Sequence, residues 1–242
     1  MLVAARTGAW AKSGSPTPTA YGGLRFTAEA ANSSVQLNAV GSAPAVTLVK
    51  SFDGVNWEDY AVGEVIDLPS IGDFVYLAAG EGGNDTFGLS SSDYHKFVIN
   101  GLVAASGDIT SLRNFDLAQT TLAAFCYKSM FSGCTGLTSA PELPATTLAL
   151  AASCYSLMFN GCTGLTSAPE LPATTLAVRC YMSMFYGCMK LSLIKVHFTA
   201  WGPTSVWVTS VSSTGTFYKP SALSEEFGPN RIPTGWTVVN ID

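Results

Sequence analysis

Short runs of alternating apolar and polar residues recur through the first half of the chain: LRFTA (24–28), SVQLNAV (34–40), AVTLVKSF (45–52), EVIDL (64–68), DFVYLAA (73–79) and HKFVING (95–101). A period of two places one set of side chains on a single face of a strand, and turn residues separate the runs. Little helical pattern lies between them. The stretch 24–112 is therefore expected to form an all-β, sandwich-like module. SFDGVNWEDY separates the third and fourth runs. Its Asp53-Gly54 pair signals a tight turn, and Trp57 and Tyr60 are expected to pack on the flanking strands.

The pattern then changes period. Three units align: TTLAAFCYKSMFSGCTGLTSAPELPA (120–145), TTLALAASCYSLMFNGCTGLTSAPELPA (146–173) and TTLAVRCYMSMFYGCMKLSLIKVHFTA from 174 onward. Cys126, Cys154 and Cys180 lie 28 and 26 residues apart, so the basic repeat is 26 residues with one two-residue insertion. That length falls in the leucine-rich range of roughly 20–29. Within the first unit Leu122, Cys126, Met130 and Cys134 recur every four residues, with Tyr127 and Phe131 beside them. Four-residue spacing predicts one apolar stripe on a short helix, which Gly133, Gly161 and Gly187 end in successive units. Pro141 and Pro144 force the following segment to be extended. Each unit thus reads as a helix plus an extended piece that buries its stripe only by stacking on its neighbours.

The expected fold class is multidomain α+β. Residues 1–23 form an arm and linker, 24–112 the sandwich-like module, 113–198 a short α/β leucine-rich-type solenoid of about three units, and 199–242 a C-terminal cap. In the cap, Trp201, Trp207 and Trp236 are placed to cover the open end, and Ser221 is placed to N-cap a short helix, SALSEEF, ended by Gly228-Pro229. Leu2, Val3 and Trp10 give the arm apolar residues that could anchor it to a neighbour.

Charge narrows the function classes. The net charge is −5, and only 12% of residues are charged, about half the roughly 25% of an average soluble domain. There is no run of Lys or Arg to displace counterions from nucleic acid, and no apolar stretch of the ~20 residues a membrane span needs. The start, MLVAARTGAWAKSG, has only five residues before Arg6 interrupts and so lacks the basic start followed by a long apolar run of a secretory signal. The expectation is either release by lysis, as for a virion component, or a piece of a longer secreted protein.

The run CYxxMFxGCTGLTSAPELPATTLA resembles the BspA-like leucine-rich repeats of Bacteroides-type bacteria and their phages. The tail IKVHFTAW (194–201), VSSTGTFYKPSAL (211–223) and GPNRIPTGWTVV (228–239) is similar to that family's closing cap. LRFTAEAANSSVQL, with SFDGVNWEDY and DFVYLAA, resembles the β-module that often precedes the repeats. The resemblance implies surface attachment or adhesion, and in phages a virion appendage. It implies no catalytic residues.

Chemistry-bearing residues add little to this. The two histidines, His95 and His197, fall in different modules, and no GxSxG, HExxH, P-loop or EF-hand pattern occurs. GEGGND (80–85) reads as a turn. SFDGVNW resembles the Asp-box turn S-x-D-x-G-x-T-W of sialidase-like blades, but it is one residue short and occurs once, so it reads as a structural hairpin. Two cysteines eight apart on one helix would be separated by about 12 Å, too far for a disulfide. Cysteine pairs two to four apart, the zinc-knuckle spacing, do not occur. The six cysteines therefore read as small buried hydrophobes.

No enzyme activity, cofactor or metal is expected. The expected function is a phage virion appendage or a capsid or tail decoration protein; the alternative is a bacterial cell-surface leucine-rich repeat adhesin, whole or fragment. The arm and β-module would contact a virion or cell-surface protein. The repeats would contact a host glycan or surface protein, with Tyr127, Tyr155, Tyr181, Tyr186, Glu142 and Glu170 as the candidate surface; core packing is the competing reading for Tyr127, Tyr155 and Tyr181. Homo-oligomerisation is compatible with the low charge, and neither nucleic acid nor a membrane span enters. Localisation follows the same choice, virion or bacterial surface.

Overall fold

The structure is a computed structural model of the chain, described over residues 22–117, 121–143 and 150–241. Among these residues the elements are twelve strands and one 3-10 turn (Ile109–Leu112). The strands are β1 (Arg25–Ala28), β2 (Ser33–Val40), β3 (Leu48–Ser51), β4 (Glu58–Tyr60), β5 (Val65–Leu68) and β6 (Phe74–Ala79), then β7 (Tyr94–Asn100), β8 (Val103–Ser106), β9 (Leu137–Ser139), β10 (Leu193–Lys195), β11 (Thr216–Lys219) and β12 (Thr237–Asn240). Each of the six alternating runs coincides, within a few residues at its ends, with one of these strands.

β1 to β8 lie in two sheets. One has the order β4-β3-β6-β1-β8-β9 and the other β5-β2-β7. Alternation sets the register. Val35 and Leu37 of β2 face Ile99 and Phe97 of β7, and Phe26 of β1 faces Val75 of β6. All six side chains are buried. The sheets meet where Phe26 packs edge-on against Phe97 at 4.9 Å. The β3–β4 hairpin closes on Asp53, whose carboxylate accepts the N–H groups of Val55 and Asn56, both at 2.8 Å. Those bonds favour the charged carboxylate and hold it well below its ordinary pKa.

The α+β class with a leucine-rich-type solenoid is not what forms. The chain is almost entirely β, with no α-helix, closed barrel or solenoid among the described residues. The stripe expected to be helical is instead a ribbon of turns. Phe125 and Ser129 hold positive φ angles of 59° and 56°, with Gly133 at 79°, so the backbone turns left-handed every fourth residue. A continuous α-helix cannot pass through such residues. Even-numbered N–H groups bond within the ribbon, as from Cys134 to the Phe131 carbonyl at 3.0 Å. Odd-numbered ones cross to the next repeat: Tyr127 donates to the Cys154 carbonyl at 2.8 Å and Phe131 to that of Met158 at 2.9 Å. The second repeat bonds the third in the same way, Tyr155 to Cys180 and Phe159 to Met184. A four-residue recurrence of inward side chains is common to this ribbon and to a helix, which is why the two read alike in sequence.

The same ladder runs beyond the third repeat. Ser183, Phe185 and Gly187 donate to the carbonyls of Ser205, Trp207 and Thr209. Val206 and Ser210 again have positive φ. The residues read as the start of a cap therefore continue the ribbon pattern. Trp207 is buried and lies 6.3 Å from Tyr181, nearly parallel to it, closing the row of rings. The indole N–H groups of Trp201, Trp207 and Trp236 donate to the carbonyls of Ser224, Arg231 and Ser212. The helix expected from Ser221 does not form; residues 221–223 make a turn and bend, with Leu223 bonding back to Pro220 at 3.1 Å, residues 224–226 are irregular, and Phe227 bridges Ile232.

On the other side of each ribbon the chain runs in parallel register. β8 pairs with β9, Ser167 bridges Leu193, and β10, β11 and β12 pair in sequence. A side chain at Gly136 would lie 1.9 Å from the Gly101 carbonyl oxygen, so only glycine fits where the first repeat docks on the β-module. One continuous apolar core extends from Leu24 to Trp236.

Candidate ligand-facing surfaces

Of the four tyrosines that are candidates for a ligand surface, the three also open to a core reading are core. Tyr127, Tyr155 and Tyr181 are buried and stack on one another at 5.8 and 6.1 Å. Phe131, Phe159 and Phe185 form a second column at 5.5 and 5.8 Å, with planes within 7° of parallel. Identical residues at identical ribbon positions must stack when the repeats do, so their aromatic surface is spent on the core rather than offered to a sugar. Burial raises all three phenols well above their ordinary pKa. Tyr186, the fourth, does lie at the surface.

The thiols are packed in the same way. All six are free and buried. Cys134, Cys162 and Cys188 lie 3.2, 3.0 and 3.0 Å from the carbonyl oxygens of Phe97, Phe131 and Phe159. Burial pushes Cys134 and Cys188 up to about 12 and Cys180 to about 11. Neutral, carbonyl-bonded thiols are poor nucleophiles and poor metal ligands. No His, Cys, Asp and Glu group suited to a metal is found among the described residues.

Glu142 and Glu170 are both exposed, in different surroundings. Glu142 belongs to a backbone bridge with Asp108. Glu170 accepts from Lys195 Nζ at 2.9 Å and pairs with His197 Nε2, both from the third repeat. The Lys195 bond is the main reason the Glu170 carboxyl is held below its usual range, helped by His197 and opposed by partial desolvation. His95 is buried on β7, with Nδ1 3.2 Å from the Phe87 carbonyl. The arm residues Leu2, Val3 and Trp10 lie outside the described residues.

A cluster that the sequence reading missed lies on the outer face of the larger sheet. Phe74 and Tyr76 alternate with the inward Val75 and Leu77 of β6. Trp57 packs 6.4 Å from Tyr76 and 4.9 Å from Phe115. The guanidinium of Arg25, on the neighbouring β1, stacks 4.0 Å over Phe74. The signal was present in DFVYLAA, where two aromatics occupy the face opposite the core positions. The four rings and the guanidinium are half-buried.

No protein-family model, no curated protein and no solved structure matches the chain. No helix among the described residues is long and apolar enough to cross a membrane.

Proposed function

We propose that the protein is a non-enzymatic binding and structural component, a phage virion appendage or a capsid or tail decoration protein. In this reading the N-terminal region attaches it to the particle, and the outward faces of the stacked repeats meet a host glycan or surface protein. The observation that carries the non-enzymatic part is how the reactive groups are used. Six thiols and three phenols are enclosed in the ribbon core, and His95 is bonded to a backbone carbonyl. The virion assignment is supported by the resemblance of the repeat run to those of Bacteroides-type bacteria and their phages. Mass spectrometry of purified virions tests it: the chain should be found in stoichiometric amount in particles. Its absence from all particles, together with recovery from outer-membrane fractions, would overturn the virion assignment in favour of a cell-surface adhesin.

A further inference from the structure

Charge is segregated along this chain. Residues 22–117 carry twelve Asp and Glu against four Lys and Arg. Residues 171–224 contain no Asp or Glu and four Lys and Arg. Each region also exposes apolar side chains. On the third repeat, Val178, Tyr186 and Met189 are 65%, 43% and 62% exposed. Arg179 and Lys190 adjoin them, are exposed, and form no ion pair with a described residue. The corresponding positions of the other repeats carry no exposed large apolar or charged side chain: Ala124 and Ala152 for Val178, Ser132 and Asn160 for Tyr186, Thr135 and Thr163 for Met189, Gly136 and Gly164 for Lys190, and the half-buried Phe125 and buried Ser153 for Arg179. In an array whose cores are nearly identical, the outward side of one unit alone has become apolar and cationic.

The complementary surface is the β3–β4 hairpin. Phe52 and Val55 are 49% and 51% exposed there, beside Glu58 and Asp59 on β4. Lys50 pairs with Glu58 at 3.5 Å and is shared with Glu64. β4 is also an edge strand, so one row of its backbone groups faces outward. The two surfaces lie at opposite ends of the strand order. β4 ends the larger sheet on one side, while the third repeat lies two units beyond β9 on the other. They cannot meet within one chain.

We propose that the outer face of the third repeat docks on the β3–β4 hairpin of a second copy of this chain, joining copies head to tail. The two surfaces differ, so the contact is heterologous and repeats from copy to copy, closing into a ring or extending as a chain. Apolar side chains supply the buried centre and the opposite charges set the orientation.

Sedimentation velocity on the full chain over a range of concentrations and salt tests this. Association is expected at low ionic strength and should weaken as salt screens the rim charges. The R179E/K190E variant should associate at least about tenfold more weakly, a loss of ~1.4 kcal/mol, and so should E58K/D59K, in which Lys50 keeps Glu64. A chain carrying all four reversals should regain association, which a folding defect would not do. V178S/M189S should weaken association while leaving its salt dependence in place. A wild-type chain monomeric at every concentration would overturn the proposal. So would R179E/K190E associating like wild type, or a fourfold variant that stays monomeric while its thermal unfolding matches wild type.

Discussion

The β-module and the repeat stack are both held by backbone ladders, but the ladders are written differently in sequence. In the module each strand pairs with neighbours along its whole length, as β2 does with β7 from Ser34 to Val40. Inward side chains then fall on every second residue. In the stack, every second N–H crosses to the next repeat and the others close turns within their own ribbon. Inward side chains then recur every fourth residue, the spacing of a helix face. An apolar period therefore reports which side chains point inward, and not which backbone carries them. The alternating runs give strands because only a strand alternates by two, although the larger sheet also takes in β9 from the first repeat. The stack is misread because a helix and a left-handed-every-fourth ribbon share a period.

The largest effect should come from the ring column, where the stack has no antiparallel pairing to fall back on. Phe159 is fully buried between Phe131 and Phe185. Phe159→Ala should cost about 3–5 kcal/mol, measured as a shift in the urea midpoint. A loss below about 1 kcal/mol would mean that the column is not the core of the stack and that the module alone sets stability.

Next in size is a pH effect at the junction of the two regions. His95, on β7, packs against Phe87, which in turn lies 6.4 Å from Tyr127 of the first ribbon. Burial lowers the His95 pKa below its usual 6.5. A base with a lowered folded pKa is protonated first in the unfolded chain. The fold should therefore lose stability as pH drops below about 6.5 toward the folded value, and be insensitive to His95 above it. His95→Leu should flatten the urea midpoint across that interval. A wild-type midpoint already flat between pH 7.5 and 5 would contradict this placement of His95.

How much was legible follows from the same contrast. β1, β2, β3, β5, β6 and β7 all sit in runs with clear alternation. β4 escaped because its three residues, Glu58, Asp59 and Tyr60, lie inside a segment dominated by turn signals. β8 escaped because VAAS is short and rich in small residues. The repeat length was readable from spacing; the packing role of the cysteines holds, although the helix used to argue against a disulfide does not form. In sequence, Tyr127, Tyr155 and Tyr181 are open to both a surface and a core reading, and the core reading is the one that holds; an isolated repeat does not show that its ring lies on an identical ring. The left-handed positions were hidden because only the third in each ribbon is glycine. The first two are Phe125 and Ser129, Ser153 and Leu157, and Arg179 and Ser183.

That last point gives a test by sign. Ser183 has a φ of 53° and is half-buried. A residue other than glycine held there costs roughly 1–2 kcal/mol, so Ser183→Gly should stabilise the protein, by up to about 1 kcal/mol after the unfolded chain gains entropy. Within a helix the same change would destabilise by a few tenths to 1 kcal/mol. Thermal unfolding of this one variant separates ribbon from helix, because the two backbones demand opposite directions.

The smallest effect concerns contacts between repeats made by side chains instead of rings and backbone. Glu170 reaches across to Lys195 and His197, with half of its side chain in water. Its lowered carboxyl pKa means that the contact contributes above the ordinary value of 4.5 and is lost as pH falls through the folded value. Solvent screening keeps that contribution to at most ~0.5 kcal/mol. Lys195→Met should bring the Glu170 carboxyl back toward 4.5 in a ¹³C NMR titration while moving the urea midpoint very little. A shift in midpoint as large as that of Phe159→Ala would reverse the order of causes argued for the stack, making the surface pair rather than the ring column its main tie between repeats.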